Sequence, residues 1–199
     1  METKNQVFES TIGDVAENSL FRLNTVAIAK NSGCSEAFLF KTFKTKRNLL
    51  LETYFYILES MNRSIAVDPD FSIRSVHDFY VFLKKLWKEI VGFYLSRPEY
   101  AVFFSDFRLS GLYNREILSY EMLLRQDIVA QLGKAARKLK IYRVFSKDVF
   151  WSYFIDATIC FVKRIIDEVE EASSEAELDA RFDVLFTGMF EAIEKNSAN

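Results

Sequence analysis

Two prolines, Pro69 and Pro98, and six glycines are all the strong breakers in 199 residues. The long stretches between them carry apolar residues every three or four positions, the period of a helix with one buried face. So few interruptions leave little room for the frequent turns that a protein of short strands requires. An all-α chain is therefore expected. Half of the residues are hydrophobic, enough for a substantial core. Cys34 and Cys160 are the only cysteines, too few for a disulfide framework and in keeping with a reducing compartment. No apolar run reaches the roughly 18 residues that cross a bilayer. The opening residues METKNQVFES lack the basic and apolar regions of a signal peptide. A cytoplasmic protein without membrane attachment is expected.

One stretch, Asn24 to Lys46, is patterned for a purpose beyond packing. Asn24 and Thr25 can cap a first helix carrying Val26, Ile28 and Ala29. Asn31-Ser32-Gly33 ends it, with Gly33 free to adopt a left-handed conformation. Ser35 then caps a second helix, Glu36 to Phe43. Two short helices joined by a glycine turn form a helix-turn-helix, which lays its second helix in the major groove of DNA. Charge agrees with that use. From Arg22 to Arg47 there are six basic residues and one acidic, a net +5, whereas residues 50–199 carry 19 basic and 23 acidic residues, a net −4. A local basic patch on a slightly acidic chain is what phosphate contact at one surface requires.

Around this unit the periodicity predicts further helices. A first one runs from about Thr3 to Ser19, with Val7, Phe8, Ile12, Val15, Ala16 and Leu20 near one face. Thr45 caps a long helix through Leu49, Leu50, Tyr54, Ile57 and Met61 that stops before Asp68-Pro69-Asp70. The domain boundary is placed inside this helix near residue 50, giving residues 1–50 and 51–199, so that a tilt can pass from one to the other. A helix after Ser72 ends at Arg97-Pro98 and carries two apolar rows, one of them Tyr80, Trp87 and Tyr94. Glu99 to Leu109 forms a shorter helix, and Asn114 to Leu139 a longer one. Ser146 caps the next, and Ser173-Ser174 with Glu177 opens the last. These two closing helices are apolar on more than one side. That fits either a thick core or a homodimer made by pairing the two helices with their copies.

The helix-turn-helix resembles that of the TetR family of bacterial transcriptional regulators. The residues that carry the resemblance are Thr25-Val26-Ala27-Ile28-Ala29, Gly33-Cys34-Ser35, Phe40, Phe43 and Lys46, followed by Leu49-Leu50. They cover about residues 7–55, and the remainder is similar only in length and helical layout. The resemblance implies an N-terminal three-helix DNA-binding domain joined by a long helix to a helical ligand-binding and dimerisation domain. It implies a repressor, not an enzyme, released from a palindromic double-stranded operator by a small molecule. Phe40 stands where the family has Tyr, which removes a hydroxyl contact to phosphate. Phe38 stands where a small residue is usual; it either meets a thymine methyl or repacks locally.

The expected DNA-facing residues are Thr25, Ser35, Glu36, Ala37, Phe38, Phe40, Lys41, Thr42 and Lys46. Thr25 and Lys46 suit phosphate, and the exposed face of the second helix suits base edges. Glu36 either accepts from a cytosine amino group or favours its helix N-terminus. In the C-terminal part, phenylalanine is abundant, 20 of 199 residues. Polar residues on apolar faces stand out because a buried carboxylate needs a partner. Trp87, Phe103, Phe107, Glu121, Arg125, Trp151, Phe154 and Thr158 are the expected contacts of a mostly apolar effector, although a salt bridge of Glu121 with Arg108 or Arg125 would explain that carboxylate equally well. No cofactor or metal is expected. One histidine makes a catalytic triad improbable, and the acidic run Glu168, Glu170, Glu171 reads as a solvated helix end. A thiol sensor using Cys34 and a helical enzyme or adapter without DNA function are the alternatives.

Overall fold

Side-chain caps decide where most of the helices begin. The structure, a computed structural model, describes residues 2–65, 71–141, 144, 146–168 and 174–197. Ten α-helices lie among them: α1 (Glu2–Asn18), α2 (Thr25–Asn31), α3 (Glu36–Phe43), α4 (Lys46–Ser64), α5 (Val76–Leu95), α6 (Pro98–Leu109), α7 (Arg115–Leu124), α8 (Gln126–Lys138), α9 (Lys147–Ile166) and α10 (Glu175–Ser197). Thr45 Oγ1 accepts from the Asn48 N–H at 3.1 Å, and Ser146 Oγ from the Val149 N–H at 3.3 Å. Ser174 and Glu177 form a reciprocal capping box, each backbone N–H donating to the other's side chain. Pro98 occupies the first turn of α6, where its missing N–H costs nothing.

Two expectations about elements need correction. α5 begins at Val76 rather than just after Ser72, because Ser75 and Asp78 build their own capping box. The helix expected from Asn114 to Leu139 is two, α7 and α8, broken at Arg125 with φ −108° and ψ 25°. Neither proline nor glycine marks that break. It falls where the chain leaves one packing unit for another, and each half buries its face in its own core. By packing, the chain forms two compact units. One unit is Met1–Arg63 with Ser96–Leu124; the other is Ser64–Leu95 with Arg125–Asn199. Asp68-Pro69-Asp70, Ser173, Glu170 and Glu171 lie outside the described residues.

In the first unit, Val7, Ile12, Val15, Ile28, Leu39, Phe43, Leu49 and Leu50 make the core of the N-terminal helices. α1 packs against α2 and α6. The Glu9 carboxylate on α1 accepts from Tyr56 of α4, at 2.6 Å, and from Tyr100 of α6. Asp14, also on α1 and buried, accepts from the Asn24 N–H at 2.9 Å and so anchors the chain where α2 begins.

In the second unit, α5 packs against α9 and α10. Its two apolar rows are buried except at their first residues, Val76 and Tyr80, which are half-buried. Trp87 lies 5.3 Å from Phe161 and 5.6 Å from Phe182, ring centre to ring centre. Lys84 and Lys88 close the edge of this packing on Asp183 and Asp179, at 3.1 and 3.0 Å.

Candidate functional site

The segment Asn24–Lys46 folds as its residue pattern demands. Asn24 Oδ1 accepts from the Ala27 N–H at 3.2 Å and starts α2. At the other end, the Gly33 N–H donates to Lys30 O and the Cys34 N–H to Ala29 O, at 3.2 and 2.9 Å. These two bonds are the Schellman pattern, and they need a left-handed residue between them. Gly33 supplies it at φ +66°. Ser35 Oγ then accepts from the Phe38 N–H at 3.1 Å and opens α3.

α3 buries only Leu39 and Phe43. Ser35, Ala37, Phe38, Phe40 and Lys41 are exposed, and Glu36 and Thr42 are half-buried. Phe38 and Phe40 retain 36% and 47% of their accessible surface, unusual for phenylalanine in a helix that also has a buried side. A tight turn follows, with Lys44 at φ 65° and the Thr45 N–H donating to Phe43 O at 2.8 Å. A left-handed, non-glycine residue is strained, and such strain concentrates at functional surfaces.

Two side chains expected to contact phosphate are engaged inside the protein. The Thr25 hydroxyl donates to Glu36 Oε1 at 2.7 Å, tying the start of α2 to the first turn of α3. Glu36 therefore has a role beyond the two read from the sequence: it accepts a hydrogen bond from the Thr25 hydroxyl. Lys46 Nζ donates to Leu23 O at 2.9 Å and keeps two further N–H groups, since an ammonium has three. Cys34 is half-buried with Sγ 3.3 Å from Ser32 Oγ.

The residues expected to meet an effector fall in both packing units, and all are buried. Phe103, Phe107 and Glu121 belong to the first. There Phe107 stacks on Tyr54 at 4.3 Å. The Glu121 carboxylate accepts from Arg108 Nη1 at 2.9 and 3.1 Å, from Tyr113 at 3.2 Å and from Tyr54. Burial first, and then the Glu121 charge, push both phenols above their ordinary values. Arg108 is the partner that a buried carboxylate needs; the sequence pattern could flag Glu121 but not choose between two arginines. Tyr54 gave no polar signal, being a tyrosine in an apolar row, and Tyr113 lies between two expected helices where no pattern marks it.

Trp87, Arg125, Trp151, Phe154 and Thr158 belong to the second unit. The Arg125 guanidinium lies 5.5 Å from the Trp151 ring centre. Thr158 Oγ1 donates to Phe154 O at 2.6 Å, so its hydroxyl is satisfied by its own helix. The indole N–H groups of Trp87 and Trp151 are buried without an acceptor among the described residues. No cluster of metal-ligating side chains occurs among the described residues, and no described helix is long and apolar enough to cross a membrane.

No protein-family model matches the sequence. Solved structures do match in three dimensions. A TetR family transcription regulator from Marinobacter aquaeolei VT8 is 17% identical, with 96% of this chain and 95% of that one aligned at a TM-score of 0.69. The fatty acid degradation regulator FadR from Bacillus halodurans is 11% identical, over 96% and 95%, with a TM-score of 0.62. The transcriptional regulator FadR from Bacillus subtilis, solved in complex with stearoyl-CoA, is 14% identical, over 92% and 98%, with a TM-score of 0.59. Alignment of nearly the whole of both chains at such low identity is a likeness of architecture. The all-helical chain, from its capped N-terminal helix pair to α10, has the fold of the TetR family of transcription regulators.

Proposed function

We propose that the chain is a DNA-binding transcription regulator that acts in the cytoplasm as a homodimer. Residues 1–50 form its reading head, and residues 51–199 sense an effector and pair the subunits. The observation that carries this reading is α3 itself. It is a helix held at its start by Ser35 and at its base by Leu39 and Phe43, with an exposed side on a segment of net charge +5. That side, Ser35, Ala37, Phe38, Phe40 and Lys41 with Thr42 beside it, is the base-reading surface. Lys46 contacts phosphate with the donors that Leu23 leaves free. Thr25 and Glu36 act together, keeping α2 and α3 in register. Repression relieved by effector is the mode of action.

Dimerisation through α9 and α10 is supported by what these helices leave uncovered. Val149, Tyr153 and Val184 expose 57%, 47% and 76% of their surface. A small groove of about 170 Å³ runs beside them, lined by Ala157, Cys160, Phe161 and Leu185 among others. Such a patch suits a two-fold interface, and two reading heads then meet half-sites about 34–36 Å apart.

The effector is mostly apolar, with Trp87, Arg125, Trp151, Phe154 and Thr158 of the second unit as its contacts. A buried N–H without an acceptor costs about 1–3 kcal/mol, and an effector carrying an acceptor would satisfy the two indoles. The stearoyl-CoA bound by Bacillus subtilis FadR offers a precedent for a long apolar chain in this fold. The deciding experiment is fluorescence anisotropy against the chain's own promoter region and random duplex at several salt concentrations. Promoter binding well above random, with a steep salt dependence, is expected. Equal binding to both sinks the regulator reading.

A further inference from the structure

The second unit contains a groove that none of these roles uses. It has a volume of about 640 Å³ and runs between residues 71–73 and one side of α8. We infer that this groove binds a small anionic amphiphile, an apolar chain with a carboxylate or phosphate head, the head lying at Lys134 and Lys138.

The walls are built rather than incidental. Gln131 Nε2 donates to Phe71 O at 2.9 Å, fastening the 71–73 wall to α8. The Phe71 ring sits 5.5 Å from that of Phe82 on α5. Phe71 and Ile73 give one side an apolar surface, and Ala130 and Ala135 on α8 are short enough to leave the space open. The volume falls among small-molecule clefts, roughly 300–1,000 Å³. From Asp127 to Lys138 the helix advances about 16 Å, at about 1.5 Å per residue, a length comparable to an extended twelve-carbon chain.

The polar residues are distributed to orient such a molecule. Lys134 and Lys138 are four apart and so neighbours on one face of α8, where like charges repel. Both are exposed, and neither forms an ion pair with a described residue. A bound anion relieves that repulsion. The C-terminal end of a helix carries only about half a negative charge, which two lysines outweigh. Asp127 lies at the other end of the groove and repels a head group bound the wrong way round. Two lysines are too few to hold a nucleic acid, whose affinity grows with each phosphate neutralised. The inference concerns binding alone and stands whether or not the chain binds DNA.

The test is calorimetric titration of the full chain with dodecanoate, dodecyl phosphate and dodecanol, each below its micellar concentration. One molecule of either anion per chain is expected, with dodecanol about tenfold weaker, about 1.4 kcal/mol. The double variant Lys134→Glu, Lys138→Glu is expected to lose about tenfold for the anions and little for dodecanol, and added salt to weaken the anions only. Ala130→Phe, at an exposed position, is expected to fill the groove and weaken all three probes while the circular dichroism stays that of the parent. Preference between the two anions identifies the head group. Unchanged binding in both variants, equal binding of dodecanol, or many molecules per chain overturns the inference. So does a dimer shown by cross-linking to cover the groove. DNA affinity of the unliganded parent, measured alongside, fails separately if the regulator reading is wrong.

Discussion

Arg108 and Glu121 form an ion pair in the interior of the first unit, with Nη1 2.9 Å from one carboxylate oxygen and side chains only 5% and 0% exposed. A pair this buried stabilises little against an apolar replacement, but losing one partner leaves a charge stranded. Arg108→Leu and Glu121→Leu are each expected to cost about 3–5 kcal/mol, and the double variant to recover much of that loss. Urea denaturation of all four proteins checks this. Additive losses would mean the two groups do not act as a pair.

The phenols around the first unit's carboxylates predict an alkaline weakness. Tyr54, Tyr113 and Tyr100 are all held above the ordinary tyrosine value by burial, and next by Glu121 or by a hydrogen bond to Glu9. A folded-state value above the unfolded one gives stability that is fully present below the unfolded value, about 10. That stability is lost as pH rises towards the folded values, because only the unfolded chain has then released its protons. Denaturation midpoints are expected to fall from about pH 10 upward. Tyr113→Phe should make the fall shallower. A flat profile through that range would contradict the assignment.

At Gly33 the cost of any side chain lies in the backbone alone. The residue has φ +66°, and an added Cβ meets nothing within 4 Å. Gly33→Ala is expected to lower stability by about 1–2 kcal/mol, and Gly33→Asn by less, since Asn tolerates this conformation. Thermal unfolding of the two variants gives the comparison. Equal loss from both would point to a cause other than φ.

Among the side chains proposed to face DNA, salt dependence separates grip from reading. Lys46→Ala is expected to weaken binding to every sequence and to flatten the slope of log affinity against log salt by about 1. Phe38→Ala should leave that slope unchanged and shift preference at one base pair. Anisotropy on a panel of single-base operator variants resolves the two. An altered slope for Phe38→Ala, or an unaltered one for Lys46→Ala, would reverse the roles.

Val184→Glu places a charge on the uncovered face of α10 and is expected to convert a dimer to a monomer at micromolar concentration. Sedimentation equilibrium measures it. A parent protein that is already monomeric would remove α9 and α10 as an interface.

Local chemistry was what the sequence expressed most clearly. Asn24, Ser35, Thr45, Ser146 and Ser174 all cap helices as their positions suggest, because a cap acts within three residues and leaves its mark there. The break at Arg125 was hidden, since the apolar spacing runs on through it and only the two separate cores require it. Pairings across sequence were equally hidden. Glu36 is recognisable as an odd acidic residue in a basic segment, but nothing eleven residues earlier announces that Thr25 donates to it. The 640 Å³ groove was invisible for a related reason: Ala130 and Ala135 look like ordinary helix formers, and their shortness matters only opposite Phe71.

Glu9 fastens α1 to two helices through a single oxygen, which accepts from both Tyr56 and Tyr100. A carboxylate shared in this way works like a pin through three plates. Sliding α1 along one neighbour would break the bond to that neighbour, and the exposed carboxylate would turn to water instead. Within the first unit, Glu9 thereby ties α1 to both α4 and α6. In the regulator proposed above, the frame behind α3 is thus pinned in part by a residue far from α3 in sequence.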